Sequence, residues 1–72
     1  MAVEQLNFER TGTRSIEWEA TTTKGEKYIV IRILPSAKFT AYFIYNQGNV
    51  KKVGEFSTPE FAFEACQEHL RT

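Results

Sequence analysis

Two hydrophobic periods follow one another along this chain, and their order limits what it can fold into. Up to residue 56, apolar side chains recur at every second position in short runs, as in strands with two distinct faces. Beyond residue 57 the spacing changes to the three- to four-residue period of an amphipathic helix. Strands followed by one helix predict an α+β domain, a three- to four-stranded antiparallel sheet packed against one C-terminal helix.

The strand pattern occurs in four segments, which are residues 13–23, 28–34, 38–45 and 50–56. The strongest is Tyr28 to Leu34, because its isoleucines and valine leave no room for a helical polar stripe. Lys24-Gly25 and Asn46-Gln47-Gly48-Asn49 supply the turns. On the strongest strand, Tyr28 and Val30 share a face with the charged Arg32, which predicts that this face is the more exposed one.

The helix has a clear start. Thr58 is the predicted N-cap, Pro59 takes the first helical position, and Glu60 complements the helix dipole. The apolar arc of the predicted helix contains Phe61, Ala62, Phe63, Ala65, Cys66, His69 and Leu70. The polar arc contains Glu60, Glu64, Gln67, Glu68 and Arg71. An amphipathic helix of this kind is expected to lie across one face of the sheet.

The N-terminal residues 1–12 lack a sustained period and are predicted to form a loosely attached arm, whose Leu6 and Phe8 dock on the core. Residues 13–72 are predicted to form a single domain. We expect a cytoplasmic protein without membrane association, because the chain has neither a signal-peptide start nor about 20 consecutive apolar residues. The single cysteine, Cys66, allows no internal disulfide.

Opposite charges balance overall but not locally. Nine basic and nine acidic side chains cancel, which removes the simplest argument for nucleic-acid binding. Residues 10–54 hold eight cations against three anions, whereas residues 55–72 hold four anions against one cation. The sheet region is therefore basic, and the helix is acidic.

The sequence offers little for catalysis, and we predict no enzymatic activity, no cofactor and no metal. Cys66 and His69 are one helical turn apart, but no second cysteine or histidine completes a metal site. We interpret Cys66 as a small buried hydrophobe and His69 as a core imidazole bonded to a loop carbonyl or a tyrosine. A pH-sensitive docking contact at His69 is the alternative.

The remaining candidate is a sheet face on which aromatic rings and cations are mixed. Its predicted binding residues are Tyr28, Arg32, Tyr42, Lys51 and Lys52. Rings among cations can stack bases and neutralise phosphates, and tyrosine and arginine are also favoured in protein interfaces. An ordinary strand with solvated lysines would have the same composition.

The segment from Tyr42 to His69 carries the motif Gly54-x-Phe56-x-Thr58-x-Glu60 at its strand-to-helix corner. It resembles small phage and bacterial β-β-β-α proteins of unassigned role that have a G-x-F-x-[ST]-x-E-x-A corner. It is also similar to AP2-type and integrase arm-binding DNA-binding domains, which lay a three-stranded sheet in the major groove. That second resemblance implies DNA contacts from Arg32, Tyr42, Lys51 and Lys52.

These observations lead to two functional hypotheses. The first is a small non-enzymatic protein-binding module, an accessory or inhibitor protein of a phage or mobile element, which acts through its sheet face on a protein partner and forms a homodimer. The alternative is a sheet-mediated DNA- or RNA-binding domain, for which a steep salt dependence of binding is expected.

Overall fold

The computed structural model describes residues 4–11, 16–32, 35 and 37–71 of the chain. The elements in chain order are β1 (Glu9–Thr11), β2 (Ile16–Thr21), β3 (Lys27–Arg32), β4 (Phe39–Ile44), β5 (Val50–Phe56) and α1 (Pro59–Arg71). The strands form one sheet in the order β1-β2-β3-β4-β5, and each strand is antiparallel to its neighbours. This meander followed by one helix confirms the α+β class and the C-terminal position of the helix.

The sheet has five strands, so the prediction of three to four was too low. The additional strand, β1, lies in the segment that we expected to form an arm, and its Arg10 pairs with Trp18 of β2. The docking of the N-terminal segment is confirmed, because Leu6 is buried and the Phe8 ring stacks on Phe63 with centroids 4.4 Å apart. A strand of three residues is too short to produce a visible alternation, which is why the sequence did not reveal it.

The other elements agree closely with the sequence. β5 has the predicted bounds, and β4 differs by one residue at each end. Both predicted turns are present, and Gly25 and Gly48 there have positive φ angles of 86° and 92°. β2 ends at Thr21, so residues 22–23 of the first predicted strand belong to the turn, and β3 begins one residue earlier than predicted. Positions 13–15 and 33–34 of the first two predicted strands lie outside the described residues.

Helix α1 begins as predicted. The backbone N–H of Phe61 donates to Oγ1 of Thr58 over 3.2 Å, so Thr58 is the N-cap. The predicted arcs need two corrections. Phe61 is 56% exposed, and Gln67 binds the N-terminal segment instead of facing solvent. The Gln67 amide accepts from the N–H of Leu6 and donates to the carbonyl of Glu4 over 3.0 and 2.8 Å, as a neighbouring strand would.

The helix covers one face of the sheet and approaches it closely, because small residues meet at the contact. Ala62 and Cys66 on α1 are fully buried, as is Ala41 on the sheet. The buried core consists of Leu6, Ala20, Tyr28, Val30, Ala41, Phe43, Ala62 and Cys66. In β5, the ring of Phe56 packs against Gly54. A Cβ atom at position 54 would lie 2.9 Å from the nearest carbon of that ring, which is too close for a side chain to fit without a shift. The absence of a side chain at Gly54 therefore makes room for the ring of Phe56 within the same strand.

The face that Arg32 was expected to expose is the one that the helix covers, so that interpretation was wrong. On this face Tyr28 is 1% exposed and Val30 is 0% exposed. Arg32 is the last residue of β3 and is only half-buried. A long charged side chain at the end of a strand can reach solvent from a covered face, so a single charge does not identify the exposed side.

Candidate functional site

The second face of the sheet points away from α1, and no helix or strand among the described residues covers it. We call it the open face. Strand alternation and pairing assign to it Glu9 and Thr11 of β1, Glu17, Glu19 and Thr21 of β2, Lys27, Ile29 and Ile31 of β3, Thr40, Tyr42 and Ile44 of β4, and Val50, Lys52 and Glu55 of β5. In the described part of the N-terminal segment, Leu6 and Phe8 pack on the helix side, and Asn7 lies beside Glu9, Glu19 and Thr21 at the β1 end of the open face.

The pairing register arranges the open face in three rows that run across the strands. The middle row is Glu9, Glu19, Ile29, Tyr42 and Lys52. One outer row is Thr11, Glu17, Ile31, Thr40 and Glu55, and the other is Thr21, Lys27, Ile44 and Val50. Residues that are adjacent in a row are cross-strand neighbours with Cβ atoms about 5 Å apart.

The centre of the open face is apolar. Ile29, Ile31, Tyr42 and Ile44 keep part of their surface accessible, and none of them belongs to the core cluster. Val50, beside Ile44, is 60% exposed. An apolar patch that is continuous over three strands and rimmed by charges is typical of an interaction surface.

Charge is distributed unevenly over the open face. At the β1 and β2 end, only Glu19 has an ion-pair partner, the Lys27 ammonium group at 3.2 Å, and within the described part of the chain Glu9 and Glu17 have none. At the β5 end, Lys52 pairs with Glu55. Their hydrogen bond raises the pKa of Lys52 and lowers the pKa of Glu55. The face is therefore acidic at the β1 and β2 end and apolar in the middle, and at the β5 end the charges of Lys52 and Glu55 offset each other.

The structure does not bring the five predicted binding residues together. Tyr28 and Arg32 lie on the covered face, and Lys51 pairs with Phe43, which places it on the helix side at the edge of the sheet. Only Tyr42 and Lys52 lie on the open face, where they are cross-strand neighbours.

A bulge in β5 explains why the two lysines could not be placed from the sequence. The pairing register shifts between Ala41 and Tyr42, so Val53 is an extra residue in β5. As a result, Lys52 lies on the open face although Gly54, two residues later, lies on the covered face. Ile29, Ile31 and Ile44 were not predicted to be surface residues. The alternation of β3 and β4 separates them from the core residues of those strands, but the charge of Arg32 led to the prediction that the opposite face is the more exposed one.

Cys66 and His69 have structural roles. Cys66 is fully buried, and burial raises the pKa of its thiol to about 12, so it is neutral at physiological pH. Nδ1 of His69 is hydrogen-bonded to the hydroxyl of Tyr28 at 2.7 Å, and burial raises the pKa of this hydroxyl to about 12. The interpretations of a buried thiol and of an imidazole bonded to a tyrosine are confirmed, but His69 is half-buried and lies outside the core cluster. In the part of the chain that the structure describes, no cluster of three or more His, Cys, Asp or Glu side chains could hold a metal ion.

Comparisons of the chain with protein-family models, with curated proteins and with solved structures find no match. Within the described ranges, the helix is also too short and too polar to cross a membrane. A function for this chain must therefore be argued from its own surface, and the open face is the feature of that surface with the clearest chemistry.

Proposed function

We propose that this protein is a non-enzymatic binding module that recognises a protein partner through the open face. The observation that carries the proposal is the partly exposed group of Ile29, Ile31 and Ile44 beside Tyr42. A sheet face that only meets water needs threonine and charged residues at its centre, and this face has isoleucines there.

Covering this centre would remove apolar surface from water, which contributes about 25 cal/mol per Å². Tyr42 adds a ring with a polar tip, and tyrosine is enriched among interface residues that contribute most to affinity. The charged ends of the face would form the solvated rim. The same face thus has an apolar centre and a polar rim, the two parts of a protein interface.

Nucleic-acid binding is less well supported. Tyr42 and Lys52 are adjacent and could stack a base and contact a phosphate. However, Glu9, Glu17 and Glu19 lie on the same face and would repel the backbone of a nucleic acid. The role of a phage or mobile-element accessory protein remains part of our proposal and rests on the resemblance of the Gly54-x-Phe56 corner.

The test compares two variants that each replace an accessible apolar residue with lysine. The immobilised wild-type protein is used to capture a partner from host extract, and the purified partner is titrated against each variant by calorimetry. We expect Ile31→Lys, on the open face, to weaken binding by roughly tenfold or more, which corresponds to about 1.4 kcal/mol. Phe61→Lys, on the exposed side of α1, should bind like the wild type.

Circular dichroism establishes that both variants fold. Equal affinity of the two variants for the partner would contradict the proposal. A parallel fluorescence titration with single- and double-stranded DNA should give flat curves at low and moderate salt. Binding that falls steeply with salt would favour the nucleic-acid alternative instead.

A further inference from the structure

The charged side chains of the open face do not cancel, and the excess is negative. The face carries four carboxylates and two ammonium groups, in the residues Glu9, Glu17, Glu19, Lys27, Lys52 and Glu55. Both ammonium groups are already paired, one with Glu19 and the other with Glu55. In the described part of the chain, the carboxylates of Glu9 and Glu17 are therefore left without a counter-ion.

These two carboxylates lie at the same end of the open face. Glu9 of β1 is the cross-strand neighbour of Glu19, and Glu17 lies two residues from Glu19 on the same side of β2. A cavity of about 270 Å³ at this end is lined by Glu9, Glu19 and three polar neighbours. We call this end of the face the acidic corner, and its residues are Asn7, Glu9, Thr11, Glu17, Glu19 and Thr21.

The acidic corner also contains a polar atom that makes no hydrogen bond. Oγ1 of Thr11, a residue that lines the cavity, is buried and has no hydrogen-bond partner among the described residues. Buried hydroxyls without a partner are unfavourable and therefore rare in folded proteins. The hydroxyl oxygen can accept a hydrogen bond from an N–H donor that enters the cavity.

The geometry of the acidic corner favours an organic cation over a metal ion. A metal ion needs several ligand atoms that converge within about 2.0–2.6 Å of it. No cluster of His, Cys, Asp or Glu side chains within the described ranges meets that need. Ammonium and guanidinium groups instead carry about three to five donors, which can reach acceptors that lie apart, such as the carboxylates of Glu9 and Glu17.

We infer that the protein partner of the open face inserts a positively charged side chain into the acidic corner and places apolar side chains over Ile29 and Ile31. The inference rests on the proposed function, because it specifies the chemistry of the partner at the same face. The corner directly borders the apolar centre, since Glu19 is the cross-strand neighbour of Ile29 and Glu17 is that of Ile31. One contact surface can therefore cover both.

Lys27 is the one open-face cation beside the acidic corner, as the cross-strand neighbour of Thr21. Its ammonium group lies 3.2 Å from the carboxylate of Glu19. Counted together, the three carboxylates of the corner and this ammonium group leave two negative charges. An incoming cation is therefore attracted, and it does not need to displace Lys27, because Glu9 and Glu17 are available to it.

The charge contact should determine which partner binds more than how tightly it binds. Glu9 is exposed and Glu17 is half-buried, and ion pairs in such positions are weakened by water. Each carboxylate should therefore change the affinity for a cationic partner by about two- to fivefold. The effect should decline as salt concentration rises.

The test is an NMR titration of the isotope-labelled full chain with two short capped peptides. In the first peptide, one arginine is flanked by leucines. In the second, citrulline replaces the arginine, with nearly the same shape and no charge. At low salt the arginine peptide should bind at least about fivefold more tightly, because it alone can neutralise the carboxylates. Amide shifts are expected in the acidic corner and at Ile29 and Ile31.

Three variants identify the carboxylates that matter. Glu9→Gln and Glu17→Gln keep the shape of the side chain and remove its charge, and each should weaken binding of the arginine peptide by about two- to fivefold. The double variant E9Q/E17Q should bind the two peptides equally. Neither substitution should lower the melting temperature, because neither carboxylate has an ion-pair partner among the residues described. Glu64→Gln, an exposed position on α1, is the matched control and should bind like the wild type.

The outcomes separate this inference from the proposed function. A preference for the arginine peptide that disappears in E9Q/E17Q supports both. Equal affinity of the wild type for the two peptides overturns the inference, and so does a preference that persists in the double variant. The absence of shifts with either peptide at millimolar concentrations also overturns it. In each of these cases the proposed function survives if the captured partner binds in an Ile31-dependent manner, and without such binding both fail.

Discussion

The two faces of this sheet are both apolar at their centres, yet they are built differently. The covered face mixes large rings such as Tyr28 and Phe43 with small residues such as Ala41. The open face has side chains of similar size, Ile29, Ile31 and Ile44. Alternation of large and small residues lets the helix come close and fixes one packing, whereas the centre of the open face, with three isoleucines and Tyr42, contains no alanine or glycine that would admit a close approach. Variation in size thus distinguishes the sealed face better than hydrophobicity does.

The faces also differ in where their polar groups find partners. On the covered face, the hydroxyl of Tyr28 is bonded to His69 inside the domain. On the open face, Glu9 and Glu17 have no ion-pair partner among the described residues. The polar contact on the covered face serves the fold, whereas Glu9 and Glu17 on the open face can pair with a partner, although Glu19 and Lys52 there already pair with Lys27 and Glu55. Mutations on the two faces should therefore affect different measurements.

The largest expected effect is loss of stability at alkaline pH, which originates on the covered face. Burial raises the pKa of Cys66 from 9.0 to about 12 and that of Tyr28 from 10.0 to about 12. The unfolded chain therefore loses these protons first. Stability contributed by the neutral groups is complete below pH 9, and it falls as pH rises from 9 towards 12, by up to about 1.4 kcal/mol per pH unit for each group.

Urea denaturation between pH 7 and pH 11 measures this decline. Cys66→Ala should move its onset from about pH 9 towards pH 10, where Tyr28 begins to titrate in the unfolded chain. Tyr42→Phe, on the open face, should leave the profile unchanged. A profile that is flat up to pH 11 would contradict the buried, neutral state of both groups.

The next largest effect comes from a matched pair of adjacent β-branched residues. Val30→Thr places a hydroxyl at a fully buried position with little change in shape, and it should cost about 1–3 kcal/mol of unfolding free energy. Ile31→Thr, on the open face, leaves its hydroxyl accessible to water and should cost less than about 1 kcal/mol. Urea titrations at pH 7 compare them, and equal costs would show that the faces are not distinct.

The two tyrosines give a smaller difference. Tyr28→Phe removes the hydroxyl that is hydrogen-bonded to Nδ1 of His69 and should cost about 1–2 kcal/mol. Tyr42→Phe should be neutral for stability but should weaken binding of the captured partner, because the ring and its hydroxyl lie on the open face. Thermal unfolding and calorimetric titration with the partner check the two expectations. A reversal of the two phenotypes would contradict the assignment of the faces.

The smallest effect concerns the N-terminal segment at the margin of the covered face. Gln67→Ala removes the two hydrogen bonds between α1 and residues 4–6, while those from Thr23 to the Glu4 carboxylate remain, and it should cost about 1 kcal/mol. Amide hydrogen exchange at Leu6 should accelerate, while exchange in β3 should change little. Glu68→Ala, at the next position of α1 and exposed to solvent, is the control and should leave exchange at Leu6 unaltered.

The sequence was informative where local chemistry decides the structure. The Thr58-Pro59 start fixes the helix, and glycines with positive φ fix the turns. It was less informative where the result depends on distant contacts. The bulge that reorients Lys52 depends on how β5 pairs with β4, and the burial of Tyr28 depends on where the helix lands. The pairing of β5 with β4 and the position of the helix cannot be predicted from the alternation of a single strand.

The most direct test of the open face as the recognition surface is NMR of protein labelled at its isoleucine methyl groups, recorded without and with the captured partner. The account predicts shifts at Ile29, Ile31 and Ile44 and none at Ile16, which pairs with Arg32 on the covered face. Shifts confined to Ile16, with the three open-face isoleucines unchanged, would contradict it.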